Sequence, residues 1–478
     1  MAAAARDLSA ANPSNAKPLS VVIGLGRSGI GAAKLLHAQG HSVLLLESQS
    51  SPELERKAQG LRPLGIAVEL GTPLNPEPFT ALAQQPQQVI VSPGIRWDDP
   101  TLVELRRRGL RVRGELGPAW DASMAVPWIG ITGTNGKTTV TYLVGHLLAS
   151  AGLDAPMGGN VGFSAAELVH ERCRPGQPQP HWLVVELSSY QIEASPEVAP
   201  RIGIWTTLTP DHLERHGTLD QYRAIKRSLL ARSEVRILNA DDPDLRSHAS
   251  SWDHAIWVTA GSRQELPATI QPSLWIEANR VMVLGPDGAQ ELMAADALAM
   301  PGAHNRQNML MAAAAGLQAG LSGSQMEQAF RHFGGVPHRL ERIREHQGIT
   351  YFNDSKATNY DAAEVALKAL DGPLVVLAGG ASKQGDASGW IAGLKQQAKA
   401  VVLYGAAQQE FAELLRQGGY PGAVHCCDGL GEAVPLAAEL AAGLSCGAVL
   451  LSPACASFDQ YSDFEARGEH FRGLVQAL

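Results

Sequence analysis

With 478 residues the chain is too long for one ordinary core, so about two to four domains are expected. Hydrophobic residues make up 45% and charged residues 18%, the balance of a soluble globular protein. A formal charge of −8 with no long basic block argues against nucleic acid as the main partner. Five cysteines, with Cys426 and Cys427 adjacent, form neither a disulfide framework nor a paired CxxC zinc pattern; reduced thiols in a cytoplasmic protein are expected. The opening MAAAARDLSAANPSNAKPLS lacks the apolar core of a signal peptide, and a disordered tail is expected over residues 1–19. No apolar run reaches the roughly 18 residues of a membrane span, so no membrane insertion is expected.

Ser20 to Ile23 predicts a short strand leading into GLGRSG, Gly24 to Gly29, then a helix and a second strand ending at Glu47. This is the dinucleotide fingerprint with its acidic residue about twenty positions on. It leaves three readings open: an NAD site, another nucleotide site, or only a tight βα turn. Val89–Val91 and Arg111–Arg113 read as further strands. Between them Pro100 to Gly109 reads as a helix with an exposed basic face at Arg106, Arg107 and Arg108. This first unit ends near Glu115.

The stretch GITGTNGKTT, Gly130 to Thr139, lies between an apolar strand and an amphipathic run. Backbone N–H groups of such a turn, with the positive end of the following helix, suit a triphosphate. Lys137 would reach the outer phosphates, and the Thr138 or Thr139 hydroxyl can ligate Mg²⁺. Ile131 stands where the generic phosphate loop has a glycine, so the loop is a variant. MGGNVG, Met157 to Gly162, brings backbone close to some neighbour. Glu186 ends the strand Leu183–Val185, where open α/β sheets place ligand groups, and is a candidate for Mg²⁺ or its waters. His212, in the polar loop after the strand Ile202–Leu208, is a candidate metal or phosphate contact. Lys226, in a helix from Gln221 to Ala231, reads by spacing alone as a surface lysine. NADDP, Asn239 to Pro243, could contact a base or merely cap a turn. Trp252 to Ala299 reads as β-rich with a turn at Asp287-Gly288. Asn305 and Asn308 lie one helical turn apart and can face one ligand.

A third β/α unit begins near Gly334. Its strands end in polar loops: NDSKATN (Asn353 to Asn359), GGASKQGD (Gly379 to Asp386) and SPACASFDQYSDF after Leu451. The three units share no repeat period.

Taken in order, GTNGKTT, GGNVG, VELSSYQIE, TPDHLERH, YRAIK, NADD, HNRQN, PHR, NDSKATN, GGASKQGD and LSPACASFDQY, with the N-terminal GLGRSG, resemble the Mur ligases. These are ATP-dependent amide-forming enzymes of peptidoglycan precursor synthesis. LSPACASFDQY resembles the members that add D-glutamate to UDP-N-acetylmuramoyl-L-alanine. The resemblance implies three α/β domains. Residues 20–115 would be a Rossmann-like domain for the UDP substrate, 116–334 a central P-loop ATP domain, and 335–478 a Rossmann-like amino-acid domain. It implies ATP, two Mg²⁺ ions, a cytoplasmic monomer and an acyl-phosphate mechanism.

By matching motif positions, the resemblance makes Lys137, Glu186, His212 and Lys226 catalytic. Thr138, Glu186, His212 and a carbamylated Lys226 become metal ligands. Gly133, Thr134, Asn135, Gly136, Lys137, Thr138 and Thr139 would hold ATP with Asn308, Arg339, Asp354 and Lys356. Leu25, Gly26, Arg27, Glu47, Ser48, Ser92, Gly94, Asn160 and Ser188 fall to the UDP substrate. The family more often has Asp-Thr where this chain has Glu47-Ser48. Thr358, Lys383, Ser457 and Phe464 fall to D-glutamate. A nicotinamide-dependent oxidoreductase would rest on GLGRSG and Glu47 alone, and no NKxD motif supports a GTPase.

Overall fold

A computed structural model describes residues 17–80, 82–300, 302–382 and 385–478. These fall into two compact units, one running to Phe333 and one from Gly334 to Leu478.

The first unit holds two sheets. β1 (Leu19–Ile23), β2 (Ser42–Glu47), β3 (Ala67–Leu70), β4 (Gln88–Val91) and β5 (Val112–Gly114) form a parallel sheet in the order β3-β2-β1-β4-β5. Every residue of β1 and β4 is buried, as expected of parallel strands covered on both faces. Leu19, expected within the tail, pairs with Ser42. Residues 1–16 lie outside the described residues.

The second sheet has nine strands in the order β14-β13-β12-β11-β10-β9-β6-β8-β7. They are β6 (Trp128–Thr132), β7 (Met157–Gly159), β8 (Leu183–Glu186), β9 (Ile202–Trp205), β10 (Val235–Asn239), β11 (Ile256–Thr259), β12 (Pro272–Glu277), β13 (Arg280–Gly285) and β14 (Gly288–Ala294). Strands β6 to β12 pair in parallel, and β12, β13 and β14 form an antiparallel meander. The expected turn at Asp287-Gly288 joins β13 to β14. One apolar cluster runs through both sheets, including Val22 and Leu45 of the first and Leu183 and Trp205 of the second. That continuity explains why the two sheets make one unit. The helix Arg27–Ala38 lies against the helix Ala165–Arg172 at Gly31, where a Cβ would stand 2.3 Å from Ser164 Oγ.

The unit from Gly334 has a six-stranded sheet ordered β15-β16-β20-β17-β18-β19. Its strands are β15 (Glu341–His346), β16 (Ile349–Asn353), β17 (Leu374–Gly379), β18 (Ala398–Tyr404), β19 (Ala423–Cys427) and β20 (Ala448–Leu451). Only β15 is antiparallel to its neighbour among them. Two apolar clusters, one on each face, are confined to this unit.

Two surface readings need correction. Arg106 does not share a solvated face with its neighbours: its guanidinium lies over Trp97 at 4.3 Å and donates to Trp97 O at 2.7 Å. Arg107 and Arg108 both pair with Glu104. Lys226, in the helix Leu219–Arg232, is only 1% exposed. Among the described residues no helix is long and apolar enough to cross a membrane.

Candidate active site

β6 lies between β8 and β9, and the register sets Ile131 beside Glu186 on one side and Ile204 on the other. Three chain segments therefore end together at the carboxyl edge of the sheet. The loop after β6 leads into the helix Lys137–Ser150, whose amino end carries no side-chain cap. Gly133 has φ +149°, and a Cβ there would stand 1.9 Å from Thr206 Oγ1. Gly136 has φ +82°, with Asn308 Oδ1 at 2.8 Å from a would-be Cβ. Both positions require glycine for backbone conformation and for space. Gly130 has another reason: a Cβ would meet Pro200 Cγ at 2.7 Å.

The segment after β9 forms the bed of this loop. Thr134 N donates to Thr207 O at 2.8 Å, Asn135 N to Thr207 Oγ1 at 2.9 Å, and Thr206 Oγ1 to Asn135 O. Lys137 Nζ reaches back to Gly133 O at 2.9 Å and Thr134 O at 2.8 Å. A rigid cradle of amides with a lysine across it and an uncapped helix end suits an anion of phosphate type. Thr206 and Thr207 escaped the sequence reading, because a Thr-Thr pair after a strand carries no motif.

Glu186 is 2% exposed. Its Oε1 accepts from Asn160 Nδ2 at 2.9 Å, and its backbone O accepts from Asn160 N at 2.8 Å. Its other oxygen, Oε2, is buried without a hydrogen-bond partner among the described residues. A buried acceptor without a donor costs about 1–3 kcal/mol, more when charged, and a cation relieves that cost. Among the described residues no three His, Cys, Asp or Glu side chains converge on one point. Such a sparse set suits Mg²⁺, which keeps several waters and takes one or two protein carboxylates plus phosphate. The residues present therefore fit Mg²⁺.

Lys226 Nζ donates to Gly133 O at 2.9 Å and Thr132 Oγ1 at 3.3 Å, with the Tyr222 ring centroid 4.6 Å away. Burial, joined by the nearby charge of Lys137, holds this amine well below the usual lysine range, against the opposing pull of Asp211 and Glu186. Tyr222 OH in turn lies 3.3 Å from Thr134 Oγ1 of the phosphate loop. His216 stacks on Tyr222, with ring centroids 5.5 Å apart, and its Nε2 lies 2.9 Å from Ser189 Oγ. Burial lowers that imidazole to about 4, so it is neutral at pH 7. His212 sits at φ 53° before the short helix Leu213–His216, half exposed beside the Tyr190 ring at 5.1 Å. Thr138 and Thr139, in the first helical turn, are buried, as are Asn305 and Asn308. Asn239, Asp241 and Asp242 make bonds within the fold. Asp242 accepts from Leu245 N and Leu208 N, Asp241 from Ala260 N, and Asn239 Nδ2 donates to Thr206 O.

The GLGRSG turn packs as tightly as its glycines suggest. A Cβ on Gly29 would fall 1.9 Å from Gly24 O, and one on Gly24 would fall 2.7 Å from Ser92 Oγ. Glu47 is already engaged: Oε2 accepts from Leu25 N at 2.8 Å and Oε1 from Gln49 N at 3.0 Å. Beside it a cavity of about 170 Å³ opens between Glu47, Ser48, Thr72, Phe79 and Ile95. Arg27 Nη1 donates to Gly162 O at 3.0 Å, whereas Gly94 has open space where a Cβ would stand. Ser188 caps the helix Ser189–Ala194 in a reciprocal arrangement with Gln191.

Within the Gly334–Leu478 unit, three loops at the carboxyl edge of the sheet gather around Arg467, which is 0% exposed. Its Nε donates to Ser355 Oγ at 2.9 Å, Nη2 to Ser355 O at 2.8 Å and Cys455 O at 3.1 Å, and Nη1 to Ala456 O at 3.3 Å and Gly379 O at 3.5 Å. No carboxylate pairs with it among the described residues. Ser457, 2% exposed, follows Ala456, which pairs with Ala381 across two loops. Lys383 lies outside the described residues. Phe464 opens the helix Phe464–Ala477 that bears Arg467, and Lys356 Nζ stands 5.7 Å from its ring. Thr358 is partly buried on the Ser355 loop and Arg339 is exposed. Asp354 is 5% exposed and accepts from Leu340 N at 3.2 Å and Ser452 Oγ at 3.0 Å; burial pushes it up to about 7.

Comparison with known proteins follows the same three divisions. Residues 19–114 match the Mur ligase MurD-like N-terminal domain, 131–316 the Mur ligase middle domain, and 338–455 the Mur ligase, glutamate ligase domain. A UDP-N-acetylmuramoylalanine–D-glutamate ligase of Prochlorococcus marinus (strain MIT 9313) is 57% identical over 96% of this chain and 98% of its own. The protein of the same description from Synechocystis sp. (strain ATCC 27184 / PCC 6803 / Kazusa) is 46% identical over 96% of this chain and 100% of its own. The crystal structure of the UDP-N-acetylmuramate-alanine ligase of Thermotoga maritima shares the fold at TM-score 0.56 and 19% identity, over 96% of this chain and 99% of that one. The phosphate loop, the polar strand ends and these matches lead to one conclusion: the chain belongs to the Mur ligase family.

Proposed function

We propose that this chain joins D-glutamate to UDP-N-acetylmuramoyl-L-alanine at the expense of ATP, in the cytoplasm and as a monomer. The observation that carries the reading is the juxtaposition at β6 and β8: a glycine cradle, Lys137 and Lys226 on its carbonyls, and a buried Glu186 oxygen without a partner. Identity of 57% to a ligase of that description, over nearly the full length, supports the choice of substrates.

A carboxylate resists attack by an amine at neutral pH, so the reaction needs a leaving group. The alanyl carboxylate oxygen attacks the γ-phosphorus of ATP, the bond to the bridging oxygen breaks, and ADP leaves. The D-glutamate amine then attacks the acyl carbon and loses a proton, and phosphate departs from the tetrahedral intermediate. The amides of Gly133 to Gly136 and the first turn through Thr138 and Thr139 hold the phosphates, and Lys137 offsets their charge. Glu186, with Thr138, His212 and a carbamylated Lys226, would hold Mg²⁺, which would supply Lewis-acid neutralisation of phosphate charge. Lys226 is suited to that modification because burial disfavours its charged form: the unprotonated nitrogen attacks CO₂, loses a proton and becomes an N-carboxylate.

Residues 20–115 hold the UDP substrate through Leu25, Gly26, Arg27, Ser48, Ser92 and Gly94, with Glu47 bracing the turn. Asn160 and Ser188 face its acid end. Residues 116–334 form the ATP domain, including Asn308. Residues 335–478 add Arg339, Asp354 and Lys356 on the ATP side. Thr358, Lys383, Ser457 and Phe464 bind D-glutamate, a dicarboxylate suited to a lysine and hydroxyls. The test is phosphate release from Mg²⁺-ATP with UDP-N-acetylmuramoyl-L-alanine and D-Glu, L-Glu, L-Lys or L-Ala supplied singly. Release with D-Glu alone is expected. Release with another amino acid instead would assign the chain to a related ligase.

A further inference from the structure

Glu115 follows the last strand of the N-terminal sheet and is 1% exposed. Its Oε2 accepts from Ala166 N at 3.1 Å, with the Ala165 N–H also acting on the carboxylate, and its Oε1 accepts from Gln191 Nε2 at 3.1 Å. Each partner lies next to a segment that touches Glu186. Ala166 is in the first turn of the helix Ala165–Arg172, directly after the loop closed by Gly159 N on Phe163 O at 2.7 Å. That loop carries Asn160, whose amide holds Glu186 Oε1. Gln191 turns its own oxygen to Ser188 N at 3.0 Å and Ser188 Oγ at 2.9 Å, two residues past Glu186.

We infer that Glu115 is a positioning residue: one carboxylate from the N-terminal sheet fixes both central loops, and through them Asn160, Ser188 and the aim of Glu186. The inference deepens the reading of Glu186 as the Mg²⁺-handling carboxylate and rests on it. All three groups on Glu115 are donors, so the position calls for an acceptor on each oxygen. A carboxyl group keeps acceptor capacity on both oxygens whether ionised or protonated, whereas an amide accepts on one and sets an N–H against the other donor. The strand end that delivers the carboxylate is itself seated, because a Cβ on Gly114 would stand 2.6 Å from Ser195 Oγ and 2.9 Å from Ala194 Cβ. Arg113, 3% exposed, anchors the same strand by ion pairs to Asp121 and Glu197. Burial pushes the Glu115 acid up to about 7 while its N–H donors pull it down, so the site retains a carboxyl group at a real cost. No step of the ligase reaction uses this carboxyl directly, which leaves positioning as its task.

The test is Glu115→Gln in the full chain, read first by amide hydrogen exchange without substrate or metal. Exchange over residues 159–166 and 187–191 should quicken at least fivefold, with the rest of the first unit unchanged. In turnover with whichever amino acid supports phosphate release, kcat should fall at least tenfold and the half-saturating Mg²⁺ concentration rise at least threefold. Unchanged exchange in both segments, or a lower kcat with unaltered Mg²⁺ dependence, would overturn the inference. Should Glu115→Gln not fold, Gln191→Leu severs only the Ser188 branch. Exchange should then quicken over 187–191 while 159–166 stays protected, and any other pattern overturns it. Wild-type phosphate release with D-Glu tests the ligase reading separately, since the exchange measurement needs no substrate.

Discussion

Replacing Arg467 by Met removes five hydrogen-bond contacts while leaving a side chain of similar length. Four carbonyls, those of Ser355, Gly379, Cys455 and Ala456, then lose a donor. The three short contacts, at 2.8 to 3.1 Å, are to Ser355 O, Ser355 Oγ and Cys455 O. Ser355 Oγ keeps its bond to Phe464 O and Ala456 O keeps the Ala381 N–H, so the loss falls mainly on Ser355 O and Cys455 O; at about 1–3 kcal/mol for each it is roughly 2–6 kcal/mol. Removing a buried guanidinium also removes its desolvation cost, which returns part of that. The guanidinium has no carboxylate to strand, so the carbonyl term wins, and a net loss of about 3 kcal/mol is expected. For a unit of this size that lowers the melting midpoint by roughly 10 °C. Calorimetry should show the shift in the transition of the Gly334–Leu478 unit alone. With Ser457 and Phe464 on the loosened segments, and Asp354 and Lys356 flanking Ser355, KM for the amino acid should rise at least tenfold and KM for ATP should rise with it. A midpoint within 2 °C of wild type with an unaltered amino-acid KM would refute the reasoning.

Gly133→Ala forces a Cβ to within 1.9 Å of Thr206 Oγ1 at φ +149°, and should weaken ATP-analogue affinity at least tenfold in titration calorimetry; an unchanged affinity would remove the cradle from the site. Lys226→Ala should lower turnover at least a hundredfold, with partial recovery on adding formate or acetate; near-normal turnover would exclude a carbamate role. Glu115 and Asp354 are both raised to about 7, from 4.5 and 3.8 respectively. Between those limits the folded chain binds more protons than the unfolded one, so stability is fullest below pH 4 to 5 from these groups and falls as pH rises through 7. Denaturant titrations at pH 5.5 and 8 should show that decline, reduced in Glu115→Gln; a rise with pH carried by these two groups would contradict their assignment.

What was legible in the sequence followed from local chemistry. The glycines and lysine of GTNGKTT announce a phosphate loop because the turn itself demands them, and Glu186 was visible as an acid ending an apolar strand. Lys226 was misplaced by spacing because its helix has charged Arg223 and Arg227 nearby, and nothing local says that the phosphate loop covers one face. The family resemblance, not the pattern, marked it out. Arg467 was invisible: a charged residue in a C-terminal helix reads as solvated, and only the convergence of three distant loops buries it. Glu115 was taken as the place where a domain ends, since its partners are a helix start some 50 residues on and a glutamine further still. Long-range satisfaction of buried polar groups leaves no periodic trace.

The two apolar clusters of the Gly334–Leu478 unit include no residue from before that point. A core closed on itself makes the segment exchangeable. A chimaera joined at Gly334-Gly335 would bring its own hydrophobic interior with the grafted half. The half carrying LSPACASFDQY is thus free to vary in sequence without disturbing the apolar cluster beneath the phosphate loop.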